Sequence, residues 1–262
     1  MRSLSRPRSR APLLTLAALL LAALPVRPAR AADPPSPDTA QSEEKAHAVA
    51  HQMLQALGGK AAWDNTHYLR FTFAGARTHV WDKWTGQHRV EGKDKEGHRY
   101  VIIENVNSKD GKAWLDGQPV AAESLPIRLK NAYAAWVNDT YWLLMPYKIE
   151  DPGVHLSYAG EEAVEGKPCD KLHLHFDHVG LTPGDQYWVW VDKSTHLVDR
   201  WAYHLESMAP AEPPTTWDWQ GWQPYGKILL APHRAQVGND RKLELSDIAV
   251  LDTVPEGTFT GP

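Results

Sequence analysis

Three histidines and an aspartate lie within six residues and form a compact group of potential metal ligands. His173, His175 and His178 stand with Asp177 in the pattern H-x-H-x-D-H. In a β-strand, His173 and His175 project from the same face about 6 to 7 Å apart, a spacing that suits two zinc ligands. The group therefore allows a metal-dependent enzyme with these three histidines as candidate ligands.

The residues between the histidines favour a simpler interpretation. Leu172, Leu174 and Phe176 alternate with them, which places the histidines on the face of the strand that points away from the core. A polar outer face needs no metal, and the sequence specifies no third ligand. We therefore predict no metal and no cofactor, and we keep a metal-dependent hydrolase as an alternative.

The other reactive side chains form no recognisable catalytic motif. Cys169 is the only cysteine, so the chain has neither an intramolecular disulfide nor a cysteine-built zinc site. The sequence contains no G-x-S-x-G, H-E-x-x-H, P-loop or dinucleotide-binding pattern. These observations favour a binding protein without catalytic residues.

Tryptophan is unusually abundant, with 12 copies against 4 phenylalanines, and it suggests where a ligand could bind. One interpretation is a core rich in indoles, because large aromatic side chains dominate core energetics. The other is a cavity that accepts an acyl chain or another apolar group. Both interpretations stay open from the sequence. The candidate cavity residues are Phe71, Phe73, Trp114, Trp136, Trp142, Met145, Trp201, Tyr203 and Trp217.

A second aromatic pattern concerns the surface. Trp188 and Trp190 alternate with Tyr187, Val189 and Val191 along one strand-like segment. One of the two faces must therefore carry aromatic side chains outside the core. Exposed aromatic patches mark interaction sites, so this segment hints at a partner surface.

The first 31 residues have the features of a secretory signal peptide. Four arginines between Arg2 and Arg10 precede an apolar run from Ala11 to Val26, and Ala29-Arg30-Ala31 gives the small-x-small spacing of a cleavage site. The apolar run is too short to span a bilayer well, and no later segment is long enough. We expect export to the periplasm.

Charge excludes one class of partner. The formal net charge is −4, and the leader contains six arginines and no acidic residue, so its removal takes the net charge to −10. An acidic chain is not drawn to DNA or to anionic lipid. We therefore predict no nucleic-acid partner.

The hydrophobic period predicts one helix followed by a β-meander. Val49, Met53, Leu54 and Leu57 form one stripe, which predicts a helix over 42–57 that ends at Gly58-Gly59. From residue 67 the period changes to two. The predicted strands of this half lie at 68–73, 77–83, 87–93, 98–106 and 112–116.

A second helix interrupts the strands. From Pro126, apolar residues recur at positions 129, 132, 133, 136 and 137, which predicts an amphipathic helix, and residues 141–146 continue as a short apolar segment. Strand patterns then return and are separated by turn residues. They lie at 154–163, 171–178, 186–191, 197–207, 215–223, 228–237 and 242–251.

Two turns share the pattern D-K-x-T followed by Gly86 in one case and His196 in the other. Asp82 and Asp192 can each accept hydrogen bonds from backbone amides two residues further on, and the fifth residue would take a positive φ. We predict that both turns are hairpin tips and that His196 carries a strain that Gly86 avoids.

This order of elements resembles the periplasmic lipoprotein-carrier superfamily of LolA, LolB and RseB-like proteins. The segment D-G-K-A-W-L-D-G at 110–117 is similar to a short hairpin of that family, as is the turn at 192–195. Residues 142–153 and 179–188 look more like an uncharacterised secreted subgroup of it. The resemblance spans about residues 42–252. It implies a curved half-barrel sheet that wraps apolar helices around a hydrophobic cavity.

Together these patterns predict a mainly β protein with helices, in which a curved antiparallel sheet wraps an N-terminal helix and a helical insertion. The predicted boundaries are a signal peptide at 1–31, a flexible lead-in at 32–41 and a single domain at 42–262. We expect a monomeric periplasmic carrier of a lipid, lipoprotein or other apolar ligand. An envelope sensor or interaction module that docks another protein is the main alternative.

Overall fold

A large antiparallel sheet and three helices make up the described part of the chain. The computed structural model describes residues 37–178 and 180–262, and the predicted leader lies outside them. The helices are α1 (Pro37–Ala56), α2 (Gly59–Asp64) and α3 (Leu125–Lys148). The strands are β1 (Tyr68–Phe73), β2 (Arg77–Asp82), β3 (Gln87–Lys93), β4 (Arg99–Asn105), β5 (Gly111–Leu115), β6 (Gln118–Pro119), β7 (Val154–Val164), β8 (Lys167–Phe176), β9 (Gln186–Asp192), β10 (Val198–His204), β11 (Thr215–Gln220), β12 (Gln223–Tyr225), β13 (Ile228–Leu230), β14 (His233–Gln236) and β15 (Lys242–Leu251).

Thirteen strands form one open sheet in the order β6-β5-β4-β3-β2-β1-β15-β14-β11-β10-β9-β8-β7. Each half is a meander of neighbouring strands, β1 to β6 on one side and β7 to β11 on the other. The last two strands join the halves, because β15 pairs with β1 and β14 pairs with β11. Strands β12 and β13 form a separate hairpin. This architecture confirms the predicted fold class.

The N-terminal helical region differs from the prediction at both ends. Helix α1 begins at Pro37, so residues 37–41 are helical although they were assigned to the lead-in. Gly58 ends the helix with φ 115°, and a Cβ there would lie 2.5 Å from the carbonyl oxygen of Lys227. The chain then forms α2, which the sequence analysis missed because the two glycines were interpreted only as a helix stop.

Helix α3 is longer than predicted, because the apolar segment at 141–146 belongs to it. Pro146 lies inside the helix and has no N–H, so the carbonyl of Trp142 lacks its usual helical donor. Arg234 of β14 supplies the missing hydrogen bond, with Nη2 2.5 Å from that carbonyl oxygen. A side chain from the sheet thus allows the helix to continue past a proline.

The end of the chain has shorter strands than the periodicity indicated. The segment predicted as one strand at 228–237 is divided into β13 and β14 by Ala231 and Pro232. Proline cannot donate to a strand ladder, which is consistent with a break at this point. The short strand β6 was not predicted.

One face of the sheet packs against α1 and α3 and forms the main core. Met53 of α1, Leu57 directly after it and Leu143 to Met145 of α3 are fully buried there against both halves of the sheet. A smaller cluster joins the first half of α3, including Ala132, to β3, β4 and β5. Helix α3 therefore spans the two meanders.

The two D-K-x-T turns have the predicted geometry. Asp82 Oδ1 accepts the N–H groups of residues 84 and 85 at 2.9 and 3.1 Å, and Asp192 Oδ1 accepts those of residues 194 and 195 at 2.7 and 2.8 Å. Gly86 has φ 80° and His196 has φ 56°. The prediction of a left-handed fifth residue in both turns is confirmed.

Candidate functional site

An open groove of about 560 Å³ lies beside helix α3. Its walls come from α3, from strands β8 to β10 and from the loop between β8 and β9. Most of the lining is apolar. The residues that line the groove are Tyr133, Ala134, Trp136, Val137, Asn138, Thr140, Tyr141, Trp142, Lys148, Asp151, Val154, Phe176, Gly180, Leu181, Thr182, Asp185, Tyr187, Trp201, Tyr203, Leu205 and Ser207.

Helical and strand periods bring the aromatic lining together. On α3, Tyr133, Val137 and Tyr141 lie on one stripe, because residues spaced by four positions share a helix face, and Trp136 lies beside Tyr133. On the sheet, Tyr203 of β10 pairs directly with Tyr187 of β9, so their side chains project from the same face. The groove is the space that the helix stripe and this sheet face leave between them.

The aromatic rings hold one another in edge-to-face contacts. Trp142 packs its ring at 4.9 Å from Trp201 and at 5.2 Å from Trp217, with interplanar angles of 75° and 90°. Tyr141 packs against Tyr187 at 5.2 Å and 70°. Such contacts favour fixed ring positions, so the groove wall has a defined shape.

Four of the nine predicted cavity residues line the groove: Trp136, Trp142, Trp201 and Tyr203. Trp217 lies directly behind Trp142 and is buried. The other four do not line the groove. Phe71, Phe73 and Met145 lie in the main core, and Trp114 lies on β5 in the other half of the sheet.

Sequence analysis missed several lining residues, among them Tyr141, Phe176 and Tyr187. Tyr141 lies in the apolar segment after the predicted helix, and a continuous helix places it on the same stripe as Tyr133 and Val137. Phe176 lies on the predicted core side of its strand and Tyr187 alternates with Trp188, and neither pattern indicates a cavity. The periodicity indicates which side of each helix or strand these residues occupy. It does not indicate which other element that side faces.

The polar groups of the groove are few and mostly paired. Lys148 and Asp151 form an ion pair at one end. Asp185 is buried and accepts hydrogen bonds from the Thr182 hydroxyl at 2.6 Å and from the backbone N–H of Glu206 at 2.8 Å. These bonds fix the loop that forms the rim.

Unpaired donors lie within the ring packing. The Tyr141 hydroxyl and the indole N–H groups of Trp136 and Trp201 are buried from solvent and have no hydrogen-bond partner among the residues that the structure describes. Burial, followed by the charge of neighbouring groups including Asp151 and Asp185, raises the pKa of Tyr141 well above its ordinary value. Tyr141 therefore stays neutral at physiological pH.

A buried polar network lies on the other side of α3 and was not predicted. Asp139 of α3 accepts from Arg77 at 2.5 and 2.8 Å and contacts His79 Nε2 at 2.8 Å. His79 Nδ1 lies 2.9 Å from His88 Nε2, and His88 Nδ1 lies 3.1 Å from Glu104 Oε1. The network thus ties α3 to strands β2, β3 and β4.

Proton placement follows from this geometry. The three contacts from Glu104 through His88 and His79 to Asp139 each need one hydrogen. Burial raises the pKa of Glu104 to about 7, and burial followed by the charge of His79 lowers the pKa of His88. A protonated Glu104 that donates to a neutral His88 satisfies all three contacts, whereas an ionised Glu104 satisfies them only if one of the two histidines carries a second proton.

Asp139 remains ionised within the network. Burial alone would raise its pKa, but the hydrogen bonds from Arg77 and His79 outweigh burial and lower it. The side chains of Asp139, His79 and His88 are fully buried. A substrate therefore cannot reach them, and we assign the network an anchoring role.

The histidine cluster lies on the opposite face of the sheet, as its alternation with leucine predicted. His173 stacks on Trp188 at 5.2 Å, and His175 stacks on His155 at 4.9 Å. His178 follows the end of β8 with φ 54°. Within residues 37–178 and 180–262, no group of three or more His, Cys, Asp or Glu side chains is arranged to hold a metal ion.

The outer tryptophans are partly covered by neighbouring side chains. Lys171 places its ammonium 4.5 Å from the ring centroid of Trp190, which is buried. Trp188 is half-buried beside His173. The outer face therefore carries aromatics, as predicted, and neighbouring side chains cover them in part.

Comparisons with known proteins give structural likenesses at low sequence identity. No family model and no curated protein sequence matches the chain. A DUF1329 family protein from Desulfovibrio piger has 13% identity and a TM-score of 0.45, with 83% of this chain and 97% of that chain covered. A putative outer membrane lipoprotein-sorting protein domain from Vibrio parahaemolyticus has 13% identity and a TM-score of 0.43, with the same coverages.

A LolA superfamily protein from Nitrosomonas europaea is also similar, with 12% identity and a TM-score of 0.35 over 80% of this chain and 97% of that chain. The solved structures that resemble this chain thus include the superfamily named by the sequence resemblance. Among the described helices, none has the length and apolar character needed to cross a bilayer.

Proposed function

We propose that the protein is a non-catalytic binding or carrier protein that takes an apolar or amphipathic ligand, such as a lipid acyl chain, into the groove beside α3. The observation that carries this proposal is the groove itself, an open space of about 560 Å³ with a mainly apolar wall. That volume lies within the range of about 300 to 1,000 Å³ that is usual for small-molecule sites.

The packing around the groove supports a binding role over a filled core. Met145 and Trp217 are buried, whereas Trp136, Trp142 and Tyr203 are only half-buried although they belong to the same aromatic cluster. Leu181 at the rim is 52% exposed. A ligand would remove this apolar surface from water, which is favourable by about 25 cal/mol per Å².

We further propose that the protein works in the periplasm as a monomer. The proposed location rests on the sequence features of the leader at 1–31. N-terminal sequencing of the exported protein is expected to begin near Ala32 or Asp33. An intact Met1 in a cytoplasmic fraction would contradict the proposed location.

Native mass spectrometry tests the binding proposal. The protein is purified gently from its own cell envelope and, separately, stripped and titrated with single-chain acyl probes. We expect an adduct of lipid mass in the first preparation or one bound probe in the second. A protein that is empty in the first and takes up no probe in the second would exclude the proposal.

An envelope interaction module is a second candidate, and the outer face with Trp188 is the observation that favours it. Capture of an envelope protein should then be lost with Trp188→Ala and retained with Trp136→Ala, which alters the groove. The opposite pattern would place the interaction at the groove.

A further inference from the structure

We propose that the group bound against the rings of the groove is a quaternary ammonium carried on an apolar chain. This inference rests on the proposed binding function and specifies the chemistry of its ligand. A quaternary ammonium needs no hydrogen-bond acceptor, and it is attracted to the faces of aromatic rings.

The first observation is the number of aromatic rings in the lining that have no lysine or arginine beside them. Eight of the residues that line the groove are aromatic. Among the described residues, seven rings lie next to a lysine or arginine, and only one of these, Tyr133 beside Lys109, belongs to the groove. The protein thus uses cation–ring contacts widely but leaves most rings of the groove without one.

The second observation is the charge of the groove. Lys148 is the one basic residue in the lining, and it is paired with Asp151. Asp185 adds a further carboxylate, and Glu206 lies beside it, since its carboxylate accepts the Gly184 N–H at 2.9 Å. A cationic group would meet favourable charge here, whereas an anionic group would meet two carboxylates beyond the ion pair.

The third observation concerns hydrogen bonds. The unpaired donors of Tyr141, Trp136 and Trp201 are buried within the ring packing, so they are not offered to a ligand. The Thr140 hydroxyl is already bonded to the carbonyl of Trp136 at 2.6 Å. A quaternary ammonium needs none of these donors, so charge and ring faces can hold it against this wall.

Three amphiphiles with the same twelve-carbon chain test the inference: dodecyltrimethylammonium, dodecyl maltoside and dodecyl sulfate. Binding is measured by calorimetry below their micellar concentrations with the full mature chain. We expect the trimethylammonium compound to bind at least about tenfold more tightly than the sulfate, with the maltoside between them. Equal affinities, or tighter binding of the sulfate, would overturn the inference while leaving the binding function intact. No binding of any of the three would instead contradict the binding function.

Two variants separate charge and ring contributions. Tyr203→Leu keeps an apolar side chain but removes a ring, so it should weaken trimethylammonium binding about three- to fivefold and leave maltoside binding nearly unchanged. Asp151→Asn releases Lys148 from its partner, so it should reduce the preference for the cation over the sulfate. Equal losses for all probes with Tyr203→Leu would show that the ring acts only as apolar surface and would overturn the cation–ring assignment.

Choline, which carries the same trimethylammonium group without a long alkyl chain, tests whether binding needs the alkyl chain of the ligand. We expect it to bind at least about tenfold more weakly than the twelve-carbon compound, because apolar contact supplies much of the binding free energy. Equal affinity would identify a small soluble ammonium as the ligand and overturn the amphiphile assignment.

Discussion

Helix α3 faces two very different environments. Over β2 to β4, Asp139 joins a polar network with His79 and His88, and the side chains of all three are fully buried. Over β8 to β10, the same helix turns Trp136 and Tyr141 toward an open aromatic groove. Residues that are neighbours in sequence thus contribute to a fixed contact on one side and to an unfilled space on the other.

This difference shows how a helix can be held firmly on one side while its other face stays open to a ligand. Buried polar groups that pair with one another specify one arrangement, because any displacement leaves charges unpaired in a medium of low dielectric constant. The groove face has no such requirement, since its rings tolerate partial exposure to water. We therefore expect changes in the network to alter stability and changes in the groove to alter binding.

The largest expected effect comes from the network. Asp139→Ala removes the carboxylate and leaves Arg77 and His79 without their partner, so it should lower the free energy of unfolding by about 3 to 5 kcal/mol. Asp151→Ala, at the groove end of the same helix, breaks a more exposed ion pair and should cost about 1 kcal/mol or less. Urea denaturation measures both. Equal losses for the two variants would contradict the anchoring role.

A pH series on Glu104→Gln sharpens the comparison within the network. The pKa of Glu104 is raised from 4.5 to about 7 in the folded protein. Its protonation therefore stabilises the fold fully below about pH 4.5, and this contribution is lost as the pH rises toward 7. A glutamine amide can donate a hydrogen bond to His88 at every pH. The Glu104→Gln variant therefore keeps this stabilising contribution as the pH rises.

The stability of Glu104→Gln relative to the natural chain should accordingly increase by about 3 kcal/mol between pH 4.5 and pH 7 and then level off. The lowered pKa of His88 has the opposite pH dependence, but it is common to both proteins and largely cancels in the difference. Urea midpoints at several pH values measure the change. A difference that does not vary with pH would show that Glu104 is not protonated in the folded chain.

The smallest expected effect lies in the two hairpins, one in each half of the sheet. His196→Gly relieves a positive φ and should stabilise the chain by a few tenths of a kcal/mol to about 1 kcal/mol. Gly86→Val should destabilise by more, because a Cβ there would lie 2.4 Å from Asn107 Nδ2 and the φ is unsuitable for a β-branched residue. A loss of more than about 1 kcal/mol with His196→Gly would reveal side-chain contacts that outweigh the strain.

Much of the fold could be predicted from local patterns. Periods of two and 3.6 residues indicate the strands and helices, and Asp-led turns indicate the hairpins. The errors occur where a distant residue decides the outcome. Helix α3 passes Pro146 because Arg234 replaces the missing donor, and no local pattern around residue 146 contains that information.

The groove and the buried network also differ in how far local sequence patterns predict them. The groove could be predicted in part, because Trp136 and Trp201 lie on recognisable apolar faces. The network could not, since its links join residues 9 to 62 positions apart. One signal was present: His79 and His88 share strand faces with Trp81 and Val90, so polar residues stood at core positions of two adjacent strands.

The most direct test of the account compares Trp136→Ala with Met145→Ala, two changes on the same helix. Trp136 lines the groove and Met145 is fully buried in the core. Affinity for dodecyl maltoside and the urea midpoint are measured for both proteins. We expect Trp136→Ala to weaken binding about tenfold, which equals about 1.4 kcal/mol, and Met145→Ala to lose about 2 to 5 kcal/mol of stability with unchanged affinity. Unchanged affinity in a well-folded Trp136→Ala protein would contradict the central claim that the groove is the binding site.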